Sequence, residues 1–187
     1  MSSSLTLQAP RAVLVTGGAR SGKSRFAESL VIRSGLTPIY VATGEAHDAE
    51  MSKRIAVHKA GRAADGWQTV EEPLDLCGVL AREAIAGRAI LVDCLTLWLS
   101  NLMMAERDVT KETGRLLALL PQLAAPVVFV SNEVGLGIVP ENALARAFRD
   151  AQGRINQDVA SVVGRVILVA AGQPMLLKPS QIPEISL

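Results

Sequence analysis

The clearest chemistry in this 187-residue chain lies in one unbroken run: Gly17, Gly18, Ala19, Arg20, Ser21, Gly22, Lys23 and Ser24, which satisfies G-x-x-x-x-G-K-[ST] in full. Loop glycines let the backbone approach a ligand closely, so that successive N–H groups surround phosphate oxygens. A helix beginning near Lys23 adds its positive dipole end. Lys23 then reaches the β- and γ-phosphates, and Ser24 offers a hydroxyl to Mg²⁺. The flanks match: the strand-like run AVLVT precedes the motif and a helical pattern follows it. Asp93, which ends the apolar run AILVD, is the natural second half. An acidic residue at the end of a buried strand, expected beside the loop strand, can hold the Mg²⁺ hydration shell. The alternative for Asp93 is an ordinary strand end that caps the next helix. The motif specifies an NTPase or kinase without naming a substrate.

A second chemical group sits in DAEMSKRIAVHKAGR, residues 48–62. This stretch predicts a helix, with Asp48 as N-cap and Gly61 as C-terminal stop. Met51, Ile55 and His58 share a face, and Arg54 stands one turn from His58. An imidazole among Arg54, Lys59 and Arg62 can grip a polyphosphate and attack it. With a reference pKa near 6.5, roughly three quarters of such groups are neutral, hence nucleophilic, at pH 7. On these residues alone a structural helical histidine fits as well. His47 is the competing imidazole, at the start of that helix with fewer cations around it.

The elements that must position these groups follow from hydrophobic patterning. AVLVT from Ala12, IYVA from Ile39, AILVD from Ala89, VVFVS from Val127 and RVILVA from Arg165 are short, apolar and rich in β-branched residues. They predict strands buried on both faces, as in a parallel sheet. Between them lie helical patterns. Residues 24–33 place Phe26, Ala27, Leu30 and Val31 on one face, and residues 142–163 carry Leu144, Phe148, Ala151, Ile155, Val159 and Val162 as an apolar stripe. The polar face of that second helix, with Arg146, Arg149 and Asn156, is expected to be solvated. Alternating β and α elements predict an α/β fold with a mostly parallel central sheet flanked by helices. PMLLK, ending at Lys178, is expected as an antiparallel edge strand after a turn at Gly172. Residues 45–73 break the pattern and are expected to form a functional excursion at a sheet edge.

Composition narrows the classes. Nineteen Lys and Arg against eighteen Asp and Glu give a net charge of +1, which excludes the broadly basic surface of a typical nucleic-acid binder. The two cysteines, Cys77 and Cys94, lie in apolar surroundings without metal-ligand spacing and are expected as buried free thiols. No apolar run approaches the roughly 20 residues of a membrane span. The Ser-rich residues 1–10 have no secretory pattern and are expected to be a disordered tail before a single domain, 11–187, in a soluble cytoplasmic protein.

Further motifs make the chain recognisable. GGARSGKSRFAE, YVATG, D-x-E-M-x-x-R-I-x-x-H-K, W-x-T-x-E-x-P, VDCLTLWLSNL, NEVGLGIVPEN and R-x-F-R-D-x-x-G-R-x-N-Q occur in consistent order from Ala12 to Lys178. Together they resemble the bifunctional adenosylcobinamide kinase/adenosylcobinamide-phosphate guanylyltransferase family of cobalamin biosynthesis. The resemblance implies a RecA-like P-loop fold and two reactions. One phosphorylates the aminopropanol hydroxyl of adenosylcobinamide with ATP or GTP. The other moves GMP from GTP, through a guanylyl-histidine, onto that phosphate and releases pyrophosphate. It places the nucleophile at His58, since Val57 occupies the position where some members carry a second histidine. In this reading Mg²⁺ sits between Ser24 and Asp93, and Thr43 lies at the carboxyl edge where open α/β sheets bind ligands. Lys59, Gly61 and Arg62 close over the nucleotide, and Glu71 accepts hydrogen bonds from ribose or base. The family also implies a homo-oligomer, a trimer. The chain departs from the family in having Ala63 after Arg62 and one extra spacer residue before Trp67.

Two rival classes differ in what they require. A plain P-loop small-molecule kinase needs no covalent nucleotide adduct. A GTP-responsive switch needs a guanine-reading N-K-x-D loop, and none of Asn101, Asn132, Asn142 and Asn156 begins one.

Overall fold

The computed structural model describes residues 11–45 and 66–180. The five expected strands are present: β1 (Ala12–Gly17), β2 (Thr37–Ala42), β4 (Arg88–Asp93), β5 (Val127–Asn132) and β6 (Arg165–Ala170). β3 (Gln68–Glu71) and β7 (Gln173–Lys178) complete one sheet in the order β3-β2-β4-β5-β1-β6-β7. β7 (Gln173–Lys178) pairs antiparallel with β6, and every other neighbouring pair is parallel. The β6–β7 turn takes the left-handed conformation at Ala171 and Gly172, which reverses the chain in two residues. The fold is α/β, with the mostly parallel sheet and antiparallel edge that the sequence pattern predicts.

Two expectations about the sheet change. β3 (Gln68–Glu71) lies inside the stretch read as an excursion, so the chain regains strand structure earlier than expected. Its sequence, QTVE, has no apolar alternation because this edge strand leaves three of its four residues exposed; pairing with β2 rather than side-chain burial makes it a strand. Second, the strand bearing Asp93 does not adjoin the loop strand. β5 stands between them, pairing with β1 on one side and β4 on the other.

Alternation sorts the core into two layers. Leu14, Ile39, Val41, Ile90, Val92, Val127 and Phe129 face α2 (Leu76–Glu83), α3 (Leu95–Met104), α4 (Val109–Leu119) and α5 (Ala143–Val162). Val15, Tyr40, Leu91, Val128, Val130, Ile167 and Val169 face the other way, against Ala27 and Val31 of α1 (Lys23–Arg33). α3 is apolar almost all round and buries Trp98, Leu99 and Leu102 completely. The indole N–H of Trp98 donates to the Leu74 carbonyl at 2.9 Å, which satisfies its one polar atom. Both cysteines are buried free thiols, as expected.

α5 begins one residue after its cap, Asn142, whose side chain accepts from the Ala145 N–H. Its predicted stripe holds at Ile155 and Val159 but not at Leu144, which is 67% exposed. Its polar face is not simply solvated. Gln152 is fully buried and Asn156 half-buried, because both reach back to the end of β5. Among the described residues no helix is long and apolar enough to cross a membrane.

Candidate functional site

The 17–24 loop joins the end of β1 to the first turn of α1. Two of its glycines are required by their surroundings. A Cβ on Gly17 would collide with the Val169 carbonyl oxygen, and one on Gly22 would come within 3.2 Å of the Gly172 Cα. Gly22 also takes φ 95° as the cap of α1. The β6–β7 turn thus braces the loop, and the Gly172 N–H donates to the Ser21 carbonyl at 2.8 Å. Gly18, Ala19 and Arg20 face solvent, while the Ser21 hydroxyl is buried with no partner among the described residues.

Lys23 is the buried cation of the site. Only 8% of it is exposed, and its ammonium donates to the Gly18 carbonyl at 3.1 Å, over the start of the loop. Burial holds its pKa below the usual lysine value, and the neighbouring Cys94 and Asp93 oppose that shift. Ser24 sits half-buried in the same first turn. Across the rim, Asp93 ends β4 half-buried, and its Oδ2 accepts from the Tyr40 hydroxyl at 3.0 Å. No group of three or more His, Cys, Asp or Glu side chains gathers among the described residues. The Ser24 hydroxyl and the Asp93 carboxylate are oxygen donors, the chemistry that a hard cation such as Mg²⁺ takes.

Thr43 follows β2 and is fully buried. Its hydroxyl donates to the Cys94 carbonyl at 2.7 Å and accepts from the Cys94 N–H at 2.8 Å. Asn101 of α3 donates to the Thr43 carbonyl at 2.6 Å and to that of Pro73 at 3.2 Å. The Thr43 hydroxyl is therefore committed in both roles to tying the ends of β2 and β4 together. Burial pushes the Cys94 thiol up to about 11, so it stays protonated at neutral pH.

On the far side of β5, Ser131 donates to Asn156 Oδ1 at 2.6 Å, Gln152 donates to Ser131 at 2.9 Å, and Asn156 donates to the Asn132 carbonyl at 3.1 Å. Thr96 Oγ1 accepts from the Asn132 N–H at 2.9 Å. Beyond this knot the 133–142 loop runs outward, with Leu136 89% and Ile138 97% exposed. Between that loop, α3 and α5 opens a groove of about 690 Å³, lined mainly by Met103, Met104, Val134, Leu144 and Phe148.

A family model described as CobU, cobinamide kinase / cobinamide phosphate guanyltransferase, matches residues 13–177. The chain belongs to that family. Among its relatives, the bifunctional adenosylcobalamin biosynthesis protein CobP of Pseudomonas aeruginosa is 49% identical over 167 residues, covering 88% of this chain and 96% of the relative. CobU of Salmonella typhimurium, also named a bifunctional adenosylcobalamin biosynthesis protein, is 42% identical over 183 residues, covering 89% and 99%. Among solved structures, the flagellar accessory protein FlaH of Methanocaldococcus jannaschii aligns over 94% of this chain and 81% of its own, at TM-score 0.47 and 13% identity.

For this member of the cobinamide kinase/guanyltransferase family, the described structure brings the 17–24 loop, Asp93 and Thr43 to one rim. Glu71 ends β3 on the same rim, exposed, but four strand intervals from β1, roughly 19 Å at the usual spacing. His58, Lys59, Gly61 and Arg62, the helix over 48–62 and the rival His47 lie outside the described residues, as does the 1–10 tail. Sequence reasoning missed the holders of the site: Tyr40 on Asp93, Asn101 on Thr43, Thr96 and Asn156 on Asn132. Each lies within a quoted motif, YVATG, VDCLTLWLSNL or R-x-F-R-D-x-x-G-R-x-N-Q. Motif order carries no contact partner.

Proposed function

We propose that this chain phosphorylates the aminopropanol hydroxyl of adenosylcobinamide and then guanylylates the product, both at the rim built around the 17–24 loop. The carrying observation is Lys23, a buried lysine held over the loop start near Asp93, in a chain of this family. In the first step the hydroxyl oxygen bonds to the γ-phosphorus of ATP or GTP and releases its proton to solvent, the bond to the β-phosphate oxygen breaks, and the nucleoside diphosphate leaves. Backbone N–H groups of the loop and the Lys23 ammonium take up charge on the phosphate oxygens. The buried Ser21 hydroxyl, which no described residue satisfies, is available to one of them.

Ser24 and Asp93 would hold Mg²⁺, and Tyr40 orients the Asp93 carboxylate by donating to its Oδ2. When bound, the ion supplies charge neutralisation between the phosphates. Thr43 acts through Cys94, fixing the backbone next to Asp93.

In the second step a neutral His58 nitrogen bonds to the α-phosphorus of GTP and pyrophosphate leaves; an oxygen of the new corrinoid phosphate then displaces the imidazole. Lys59, Gly61, Arg62 and Glu71 bind nucleotide in this reading. The same reading makes the protein a cytoplasmic homo-oligomer, a trimer, acting on small molecules without a nucleic-acid partner.

The test uses GTP labelled at the α-phosphate. Acid-labile, base-stable label on the protein marks a histidine phosphoramidate. His58→Asn is expected to lose that label and GMP transfer while keeping substantial kinase activity, and His47→Asn to keep both. Label that survives His58→Asn and disappears with His47→Asn moves the nucleophile to His47. An unlabelled parent protein with kinase activity would leave a plain P-loop kinase.

A further inference from the structure

β5 separates the two halves of the phosphate site, and its last residue stands between them. In register, Asn132 is level with Gly17 of β1, whereas Asp93 of β4 is level with Val130. Asn132 therefore projects further toward the open rim than Asp93 does. Val128 and Val130 pack with Ala27 and Val31 of α1. Side chains alternate along a strand, so Asn132, two residues beyond Val130, presents its amide on that same face. This is the face that carries Lys23, whose ammonium lies over Gly18. Asn132 thus lies at the same end of the sheet as the loop start and Asp93, on the strand between β1 and β4.

The main chain at Asn132 is held from every side. Its N–H donates to Thr96 and its carbonyl accepts from Asn156. Asn156 is held in turn by Ser131 at 2.6 Å and Gln152 at 3.0 Å, and the next N–H, of Glu133, donates to the Gly17 carbonyl at 3.1 Å. The side-chain amide of Asn132, by contrast, makes no hydrogen bond to any described residue, although it is half-buried. A donor on a locked backbone, facing the phosphate loop, needs no reorganisation when charge arrives.

We propose that Asn132 is a nucleotide-contacting residue, its Nδ2 donating to an oxygen of the terminal phosphate beside the Lys23 ammonium. This rests on reading the 17–24 loop as the triphosphate site. A neutral amide adds a donor there without adding charge. It touches only the terminal phosphate, so it separates triphosphate from diphosphate.

The experiment measures GTP and GDP affinities by calorimetric titration for the parent, Asn132→Ala and Asn132→Asp. Asn132→Ala is expected to weaken GTP roughly tenfold or more, the scale of a hydrogen bond to a charged group, and GDP by less than about twofold. Asn132→Asp faces the phosphate with a carboxylate and is expected to weaken GTP further. It keeps the side-chain shape and both main-chain bonds, so it carries the test even if Asn132→Ala fails to fold. Unchanged GTP affinity in both variants, or equal losses for GTP and GDP, overturns the assignment. A parent that binds GTP but transfers nothing to cobinamide refutes the functional reading instead, while the GTP-to-GDP ratio still decides Asn132.

Discussion

Two loops leave neighbouring strands at the same rim, and they are built in opposite ways. The 17–24 loop, after β1, is braced by the β6–β7 turn, filled by its own lysine and intolerant of a Cβ at Gly17 and Gly22. Among the described residues, the hydrogen bonds of the 133–142 loop, after β5, to the rest of the chain lie at its ends. Glu133 donates its N–H to Gly17, and Arg146 reaches the carbonyls of Pro140 and Glu141. In its middle, Leu136, Ile138 and Val139 lie in solvent. One loop is a preorganised polar device whose contacts are internal. The other gains almost nothing from its apolar residues within this chain, since burial is what makes such residues stabilising.

The largest effect should come from breaking the polar device at its centre. Lys23→Ala is expected to lower kinase turnover at least about a hundredfold, the scale of losing one electrostatic donor in a preorganised site. Its stability should change by no more than about 1 kcal/mol, because a weak internal hydrogen bond is lost along with an unfavourable buried charge. Parent-like turnover in the folded variant would remove the loop from the chemistry.

The contrast also explains what the sequence disclosed. The 17–24 loop was legible because its backbone geometry demands particular residues at fixed spacing: glycines where the chain crowds Val169 and Gly172, lysine and serine at the helix start. The buried strands were legible for a similar local reason, an apolar run bounded by turns. β3 was not, since QTVE becomes a strand only through pairing with β2. Nor was the place of β5 between β1 and β4, which depends on connections that span much of the chain. The polar face of α5 misled for the same reason. Asn156 reads as a surface residue until β5 supplies Ser131 and the Asn132 carbonyl opposite it.

Thr43→Val tests whether the rim is held together as the geometry indicates. It keeps the shape and deletes a hydroxyl that serves both the N–H and the carbonyl of buried Cys94. Two stranded polar groups should lower the unfolding free energy by about 2 kcal/mol in a urea titration. A loss below about 0.5 kcal/mol would mean the rim relaxes, and the preorganised side of the comparison would weaken. Asp93→Asn is expected to act more gently. It preserves the bond from Tyr40 and removes only charge, so the Mg²⁺ concentration for half-maximal kinase activity should rise, roughly tenfold, with stability little changed. An unaltered Mg²⁺ dependence would reduce Asp93 to a strand end.

The smallest effect is expected on the other loop. Ile138 is 97% exposed, so its side chain has almost no contact to lose. Ile138→Ser should leave the urea unfolding free energy of the dilute protein within about 0.5 kcal/mol of the parent, the range of ordinary surface substitutions. The Leu99→Ala change supplies the internal standard. That leucine is fully buried on α3, and its truncation should cost about 2–5 kcal/mol through lost burial and a residual cavity. Both variants can be measured across a range of protein concentrations. A penalty of more than about 1 kcal/mol for Ile138→Ser, growing with concentration, would show the side chain covered by another molecule in solution, because association adds stability only by mass action. The two loops would then differ in what completes them, one by a nucleotide and one by a surface outside the chain. A flat, near-zero result would leave the 133–142 loop uncovered in the free protein, held by the bonds at Glu133 and around the cap of α5.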